Sequence, residues 1–131
     1  MRADVRYHPR AASALDWPRT GLYYLYIALA TIVLGLWGLP QGLRGRASAN
    51  RVATIWLGQM MGAARVILGV RVELRGTPPA GDCLVAAKHQ SFLDILALAQ
   101  ACPRRAFVMK RAVLNVPIMG WFARKVGCIP I

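Results

Sequence analysis

Hydrophobic and polar positions divide the chain into an apolar first half and a second half in which short apolar runs alternate with polar turns. Residues 20–39 contain no charged side chain. At about 1.5 Å per residue, a helix of this length spans ~30 Å, the thickness of a bilayer's hydrocarbon layer. Tyrosines near its start and Trp37 near its end occupy aromatic-belt positions. The pattern predicts a membrane-spanning helix from Thr20 to Leu39, ended by Pro40 and Gly42.

The residues before this run, 1–19, are polar and carry several arginines, which predicts a tail lying on the membrane surface. A secretory signal is the competing interpretation, with Ala47-Ser48-Ala49 as its cleavage site. The long polar leader, the length of the apolar run, and Arg44 and Arg46 beside the supposed site all argue against cleavage. We expect the segment to stay attached.

A second apolar segment covers residues 52–70 and contains Gln59 and Arg65, which are costly at the centre of a bilayer. A helix lying in the interface, or the return arm of a hairpin, is therefore favoured over a second full span. A core helix of a soluble domain remains the alternative. Similar numbers of basic residues flank the first segment on both sides, so the charge distribution does not decide the topology.

After Gly69 the pattern predicts strands that alternate with helices. The predicted strands cover 70–74, 83–87, 106–109 and 128–131, and the predicted helices cover 91–101, 112–114 and 117–126. This order is typical of an α/β fold. We therefore expect a polar tail and membrane-associated helical hairpin over 1–69, followed by the first half of a helix-covered sheet over 70–131. Because the chain stops at Ile131 inside a predicted strand, we expect the sheet to be incomplete.

The charge balance favours an anionic partner. Lysine and arginine number 17 against five acids, which gives a net charge of +12. The arginines flank apolar segments, so membrane lipids rank ahead of nucleic acid, and no nucleic-acid partner is expected. For Arg104 and Arg105, an ordinary solvated loop and attraction to lipid headgroups are the two interpretations.

The three cysteines predict neither a disulfide framework nor a zinc site. Cys83, Cys102 and Cys128 are odd in number, far apart and without a CxxC pair. We expect them to be reduced and buried, and we expect no metal site.

One stretch carries candidate chemistry, the sequence KHQSFLD from Lys88 to Asp94. Ser91 followed by Asp94 is typical of a capping box, which leaves His89 unexplained. If a helix begins at Ser91, His89 lies in the preceding turn and can fold back onto Asp94, which would orient the imidazole and stabilise its protonated form. Helix N-termini also attract phosphate. The spacing of these residues does not by itself decide between a helix cap and a catalytic pair.

KHQSFLD resembles the block of the glycerolipid acyltransferases in which a histidine and an aspartate are separated by four residues, in particular the 1-acylglycerol-3-phosphate (lysophosphatidic acid) acyltransferase family. The segments FVMK at 107–110, PIMGW at 117–121 and RKVGCIPI at 124–131 are similar to that family's second conserved stretch. The resemblance runs from about Val70 to the end of the chain. The hydrophobic N-terminal segments are similar, more weakly, to the membrane-binding helices of bacterial members.

The resemblance implies that His89 is the general base, that Asp94 orients it, and that Lys110 contacts the substrate phosphate. It implies transfer from acyl-CoA or acyl-carrier protein to lysophosphatidic acid, giving phosphatidic acid on the cytoplasmic face of the inner membrane, without metal or cofactor. The family's next arginine and its Glu-Gly-Thr-Arg block would follow Ile131. We therefore expect little or no activity from these 131 residues alone.

Two other functions stay open. One is a non-enzymatic basic membrane anchor or assembly protein, which the hairpin and the arginines would suit. The other is an acyltransferase with a different lysolipid acceptor, such as an ornithine-type lipid.

Overall fold

The computed structural model describes residues 13–78, 81–102 and 105–131. Most of the predicted tail, part of the 76–81 turn, and Arg104 lie outside the described residues. The helices are α1 (Asp16–Gly42), α2 (Arg46–Ala63), a π-helical turn (Ala64–Leu68), α3 (Phe92–Ala101), a 3-10 helix (Arg111–Asn115) and α4 (Met119–Val126). The strands are β1 (Val108–Met109) and β2 (Ile129–Pro130).

Helix α1 is longer than predicted at both ends: it begins at Asp16, and Pro40, which was expected to end it, lies inside its last turn. The carboxylate of Asp16 accepts a hydrogen bond from the Ser13 N–H at 2.6 Å. By length and composition α1 is able to cross a membrane, and it is the one such helix among the described residues. A stripe of its large apolar side chains is half exposed or more: Leu22, Leu25, Leu29, Ile32 and Leu36.

Helices α1 and α2 form an antiparallel hairpin that turns at Gly45, whose φ of 128° suits glycine. The Tyr26 hydroxyl donates to Gln59 Oε1 at 2.9 Å, and the Trp56 indole N–H donates to Thr31 Oγ1 at 2.9 Å. The later residue of α1 thus pairs with the earlier residue of α2, so the two helices run antiparallel. The second apolar segment therefore returns alongside α1 and also buries one of its faces, and Gln59 has a polar partner within the hairpin.

Three glycines give the second half of α1 a flat face at spacings of three and four residues. A side chain added at any of them would collide with a neighbour: at Gly35 with Ile118, at Gly38 with Val52 and Phe122, and at Gly42 with Trp121 and Phe122. Because small residues let helices approach closely, α4 and the residue before it dock directly on α1. The hairpin thus packs against the C-terminal part of the chain.

The buried core lies between α2 and α3. Leu57 and Met60 of α2 pack against Leu96 and Ala99 of α3, all of them buried. Apolar residues of α1 add to the same cluster. The apolar run after Ser91 therefore forms the predicted helix and buries one face of it.

The two strands form a parallel pair, in which Val108 lies opposite Ile129. The Ile129 N–H donates to the Phe107 carbonyl at 2.8 Å, and the Ile131 N–H donates to the Met109 carbonyl at 2.9 Å. Helix α4 lies on the crossover between them. The strand predictions for 106–109 and 128–131 are right in place, although each strand is shorter than predicted.

The strands predicted at 70–74 and 83–87 are wrong, since neither segment is a strand in the structure. Alternating apolar residues form a strand only where a neighbour pairs with the backbone. Residues 71–78 and 81–90 are exposed and pair with neither β1 nor β2. The described part is mostly helical with a two-stranded sheet, a smaller sheet than the predicted α/β fold.

The expected burial of all three cysteines is also wrong. Cys83 is exposed, while Cys102 and Cys128 are partly exposed, and all three are free thiols.

Candidate active site

Helix α3 begins where the sequence predicts, which places the candidate pair at its N-terminus. Ser91 is extended, with φ −152° and ψ 163°, and the helix follows from Phe92. Ser91 and Asp94 form a capping box. His89 lies in the exposed segment before the helix, and Asp94 lies in the first turn.

The helix start holds the Asp94 carboxylate in place. Its Oδ2 atom accepts the backbone N–H groups of Gln90 and Ser91, each at 2.6 Å, and its Oδ1 atom accepts the Ser91 hydroxyl at 3.0 Å. These backbone hydrogen bonds hold the pKa of Asp94 below its ordinary value, with smaller contributions from the Ser91 hydroxyl and from His89. The carboxylate is therefore an anchored anion at neutral pH.

His89 lies beside this anion without a hydrogen bond to it. Its Nδ1 atom is 3.7 Å from Asp94 Oδ2, which is longer than a hydrogen bond. The imidazole is 60% exposed and the carboxylate 35%. Asp94 can thus stabilise the positive charge that appears when the imidazole takes a proton, and Nε2 is the nitrogen that does not face the carboxylate.

We expect the capping carboxylate to make stability depend on acid pH. An unfolded aspartate titrates near pH ~3.9, and the pKa of Asp94 is lower in the folded chain. Its contribution is present above that unfolded value and is lost as the pH falls through the folded pKa. Thermal unfolding followed by circular dichroism should show that stability falls between pH 7 and pH 2. This fall should be smaller in Asp94→Asn than in the unchanged protein. Identical acid profiles for the two proteins would contradict the role of the carboxylate.

Lys110 lies at the carboxyl end of β1, exposed, and its carbonyl accepts the Val113 N–H at 3.0 Å. Ile131 lies at the carboxyl end of the neighbouring strand, and in parallel sheets this edge is where ligands bind. Within the described ranges, no hydrogen bond or ion pair joins Lys110 to His89 or Asp94. The structure therefore brings His89 and Asp94 together, and Lys110 makes no direct polar contact with either of them.

An open groove of about 560 Å³ lies elsewhere, between α2, α3 and the segment after Gly69. Arg65 and Arg71 line it together with apolar residues of the helices. His89, Asp94 and Lys110 are not among its lining residues. Among the described residues, no group of three or more His, Cys, Asp or Glu side chains could hold a metal ion.

The structure gives Arg105 contacts that differ from those of the expected solvated loop. Its guanidinium donates to Thr54 Oγ1 at 3.2 Å and to the Cys102 carbonyl at 3.4 Å. Burial lowers the pKa of Arg105 from its ordinary value. The side chain therefore ties the segment after α3 to α2, and no local pattern signals a contact between residues 51 positions apart.

Comparison with known proteins gives matches that agree with the resemblance seen in the motifs. Residues 69–131 match the family model described as acyltransferase. A 1-acyl-sn-glycerol-3-phosphate acyltransferase of Pseudomonas aeruginosa is 32% identical over 107 residues, covering 79% of this chain and 42% of the relative. A lyso-ornithine lipid O-acyltransferase of Rhodobacter capsulatus is 43% identical over 63 residues, covering 48% of this chain and 22% of the relative.

A chloroplastic 1-acyl-sn-glycerol-3-phosphate acyltransferase of Brassica napus is 33% identical over 55 residues, covering 40% of this chain and 16% of the relative. No solved structure matches. The chain spans less than half the length of these curated relatives. The matched segment contains the anchored Asp94 carboxylate and the neighbouring imidazole, and over residues 69–131 this chain is similar to the acyltransferase family.

Proposed function

We propose that the protein moves a fatty acyl group from acyl-CoA or acyl-carrier protein to the free hydroxyl of 1-acylglycerol-3-phosphate, giving phosphatidic acid. One observation carries the proposal: an ionised carboxylate fixed by a helix start lies 3.7 Å from an exposed imidazole. This pair falls in the segment that matches acyltransferases. Two of the relatives are named for transfer to 1-acylglycerol-3-phosphate.

The imidazole of His89 acts as the general base. Its Nε2 atom takes the proton of the acceptor hydroxyl while the hydroxyl oxygen attacks the thioester carbonyl carbon of the donor. The new C–O bond forms, the C–S bond breaks, and the departing sulfur receives the proton from the imidazolium. Asp94 faces the other ring nitrogen and stabilises the imidazolium between the two proton transfers. The 3.7 Å gap would close with substrate bound, because catalytic hydrogen bonds are often long before binding.

The acceptor phosphate is held by positive charge. Lys110 is exposed at the ligand-binding edge of the parallel strand pair and forms no ion pair with any described residue. The N-terminus of α3 adds the attraction of its dipole beside the reacting pair. Lys110 therefore acts in substrate binding, while His89 and Asp94 act in catalysis.

The enzyme works at a membrane surface, where its lipid acceptor and product reside. The half-exposed apolar stripe of α1 suits the lipid phase, and the net charge of +12 suits an anionic surface. Because acyl-CoA and acyl-carrier protein are cytoplasmic donors, we place the site on the cytoplasmic face of the inner membrane.

A lyso-ornithine lipid is the second candidate acceptor, favoured by the 43% identity to an enzyme named for it. Ornithine carries amino and carboxylate groups and no phosphate. The same His89 and Asp94 chemistry applies to either hydroxyl. Lys110 would therefore contact the phosphate of 1-acylglycerol-3-phosphate, whereas a lyso-ornithine lipid offers it no phosphate.

The test presents both acceptors to the protein expressed at its full gene length. Membranes containing it are supplied with acyl-CoA or acyl-carrier protein, and labelled product is separated by thin-layer chromatography. We expect phosphatidic acid as the main product and a raised KM for 1-acylglycerol-3-phosphate in Lys110→Gln, with kcat nearly unchanged, because a binding contact is lost.

Other outcomes decide between the alternatives. Turnover of the ornithine lipid with no effect of Lys110→Gln would establish the second acceptor. A correctly inserted protein with no turnover of either acceptor would favour a non-enzymatic membrane anchor or assembly protein.

A further inference from the structure

Four basic residues gather where the hairpin turns. Arg44 lies in the turn between α1 and α2, and Arg46 begins α2. Arg124 and Lys125 lie in the last turn of α4. We call Arg44, Arg46, Arg124 and Lys125 the basic end.

Direct contacts bring α4 to this turn. A Cβ added at Gly42 would lie 2.6 Å from the Trp121 ring, and one added at Gly127 would lie 3.0 Å from the Arg46 guanidinium. The Lys125 ammonium lies 5.5 Å from the centroid of the Trp121 ring, within the range of a cation–π contact. The hairpin turn and the end of α4 therefore form one surface.

This surface holds positive charge that is not neutralised within the described chain. All four side chains belong to exposed residues, and none forms an ion pair with a described acid. Trp37 and Leu43 lie along the same end of α1 and are 53% and 69% exposed. Cations next to exposed apolar and indole side chains are typical of the boundary between lipid tails and headgroups.

We propose that the basic end binds the headgroups of anionic phospholipids. A soluble phosphate compound would account for the arginines, but it would leave Trp37 and Leu43 exposed to water. A lipid accounts for both, because its phosphate meets the cations while its chains cover the apolar end of α1. It follows that α4, which belongs to the acyltransferase segment, contacts the membrane itself. This inference does not depend on the identity of the acyl acceptor.

The experiment measures single lipids bound to the whole protein. The protein is purified in a non-ionic detergent and titrated with phosphatidylglycerol or phosphatidylcholine, and native mass spectrometry counts the complexes. We expect phosphatidylglycerol to bind about tenfold more tightly. The pair Arg46→Gln with Lys125→Gln should remove that preference, since each basic residue near an anionic surface contributes an affinity factor of roughly five.

A matched control separates this site from the overall charge. Arg71→Gln with Arg75→Gln removes the same charge from the exposed segment after Gly69, and it should leave the lipid preference unchanged. Equal losses in the two pairs would overturn the proposal in favour of nonspecific attraction. Displacement of the lipid by millimolar glycerol 3-phosphate would also overturn it. Circular dichroism checks folding, and Lys125→Arg should retain the preference.

Discussion

Replacement of His89 by alanine is expected to lower kcat/KM for acyl transfer by about 100- to 10,000-fold, the range that a general base contributes. The imidazole is exposed and makes no hydrogen bond to Asp94, so its removal should leave the fold intact. Most of the loss should appear in kcat, because the proton transfer occurs only in the reaction itself. The measurement is initial-rate kinetics with 1-acylglycerol-3-phosphate and acyl-CoA on the protein at its full gene length.

Asp94→Asn tests whether the negative charge beside the imidazole contributes to catalysis. The amide oxygen can still accept a backbone N–H at the helix start, but the negative charge is lost. We expect a smaller reduction in kcat than for His89→Ala, together with wild-type helix content. If His89→Ala retained full activity, the base would have to be another group, and the proposed function would lose its mechanism.

Local sequence signals predicted the candidate pair because its geometry is set over six residues. The capping box at Ser91 and Asp94 specifies where α3 begins, and that start places His89 beside the carboxylate. Lys110 was predicted only through the resemblance to a family. Its distance from the pair depends on how β1 is placed relative to α3, and no local pattern determines that placement.

The sheet was less predictable than the helices because strands depend on partners. β1 and β2 pair with each other and are connected through α4, and both strands were expected. The segments 70–74 and 83–87 were also predicted as strands, but neither pairs with a strand within the described residues, and 71–74 and 83–87 are exposed. Alternating hydrophobicity predicts which face of a strand would be buried, but it does not supply the adjacent strand.

No pattern in the sequence predicted that the hairpin contacts the C-terminal part of the chain. The apolar run of α1 indicates a membrane helix, whereas its three glycines act together as a packing face only when Ile118, Trp121 and Phe122 dock there. The sequence leaves open which of the glycines are needed for close approach. The structure distinguishes them, because nothing lies within 4 Å of a Cβ added at Gly21 on the same helix.

Gly42→Ala is therefore expected to destabilise the protein by about 1–3 kcal/mol, the usual cost of overpacking. The added methyl would lie 2.6 and 2.7 Å from two atoms of the Trp121 ring, so the indole has to change its rotamer or α4 has to move away from α1. The helix-forming advantage of alanine over glycine, up to about 1 kcal/mol, offsets only part of this cost. Thermal unfolding in detergent, followed by circular dichroism, measures the change.

Gly21→Ala makes the same chemical change in open space, so only the gain in helix propensity remains, and its stability should rise by up to about 1 kcal/mol. The opposite signs of the two variants isolate the packing contact from the propensity of the residue. Trp121→Leu in the Gly42→Ala background should recover part of the loss, because a smaller, flexible side chain leaves room for the methyl group. Equal effects at Gly42 and Gly21 would mean that α4 does not dock on the hairpin, and the surface shared by Arg46 and Lys125 would then not exist.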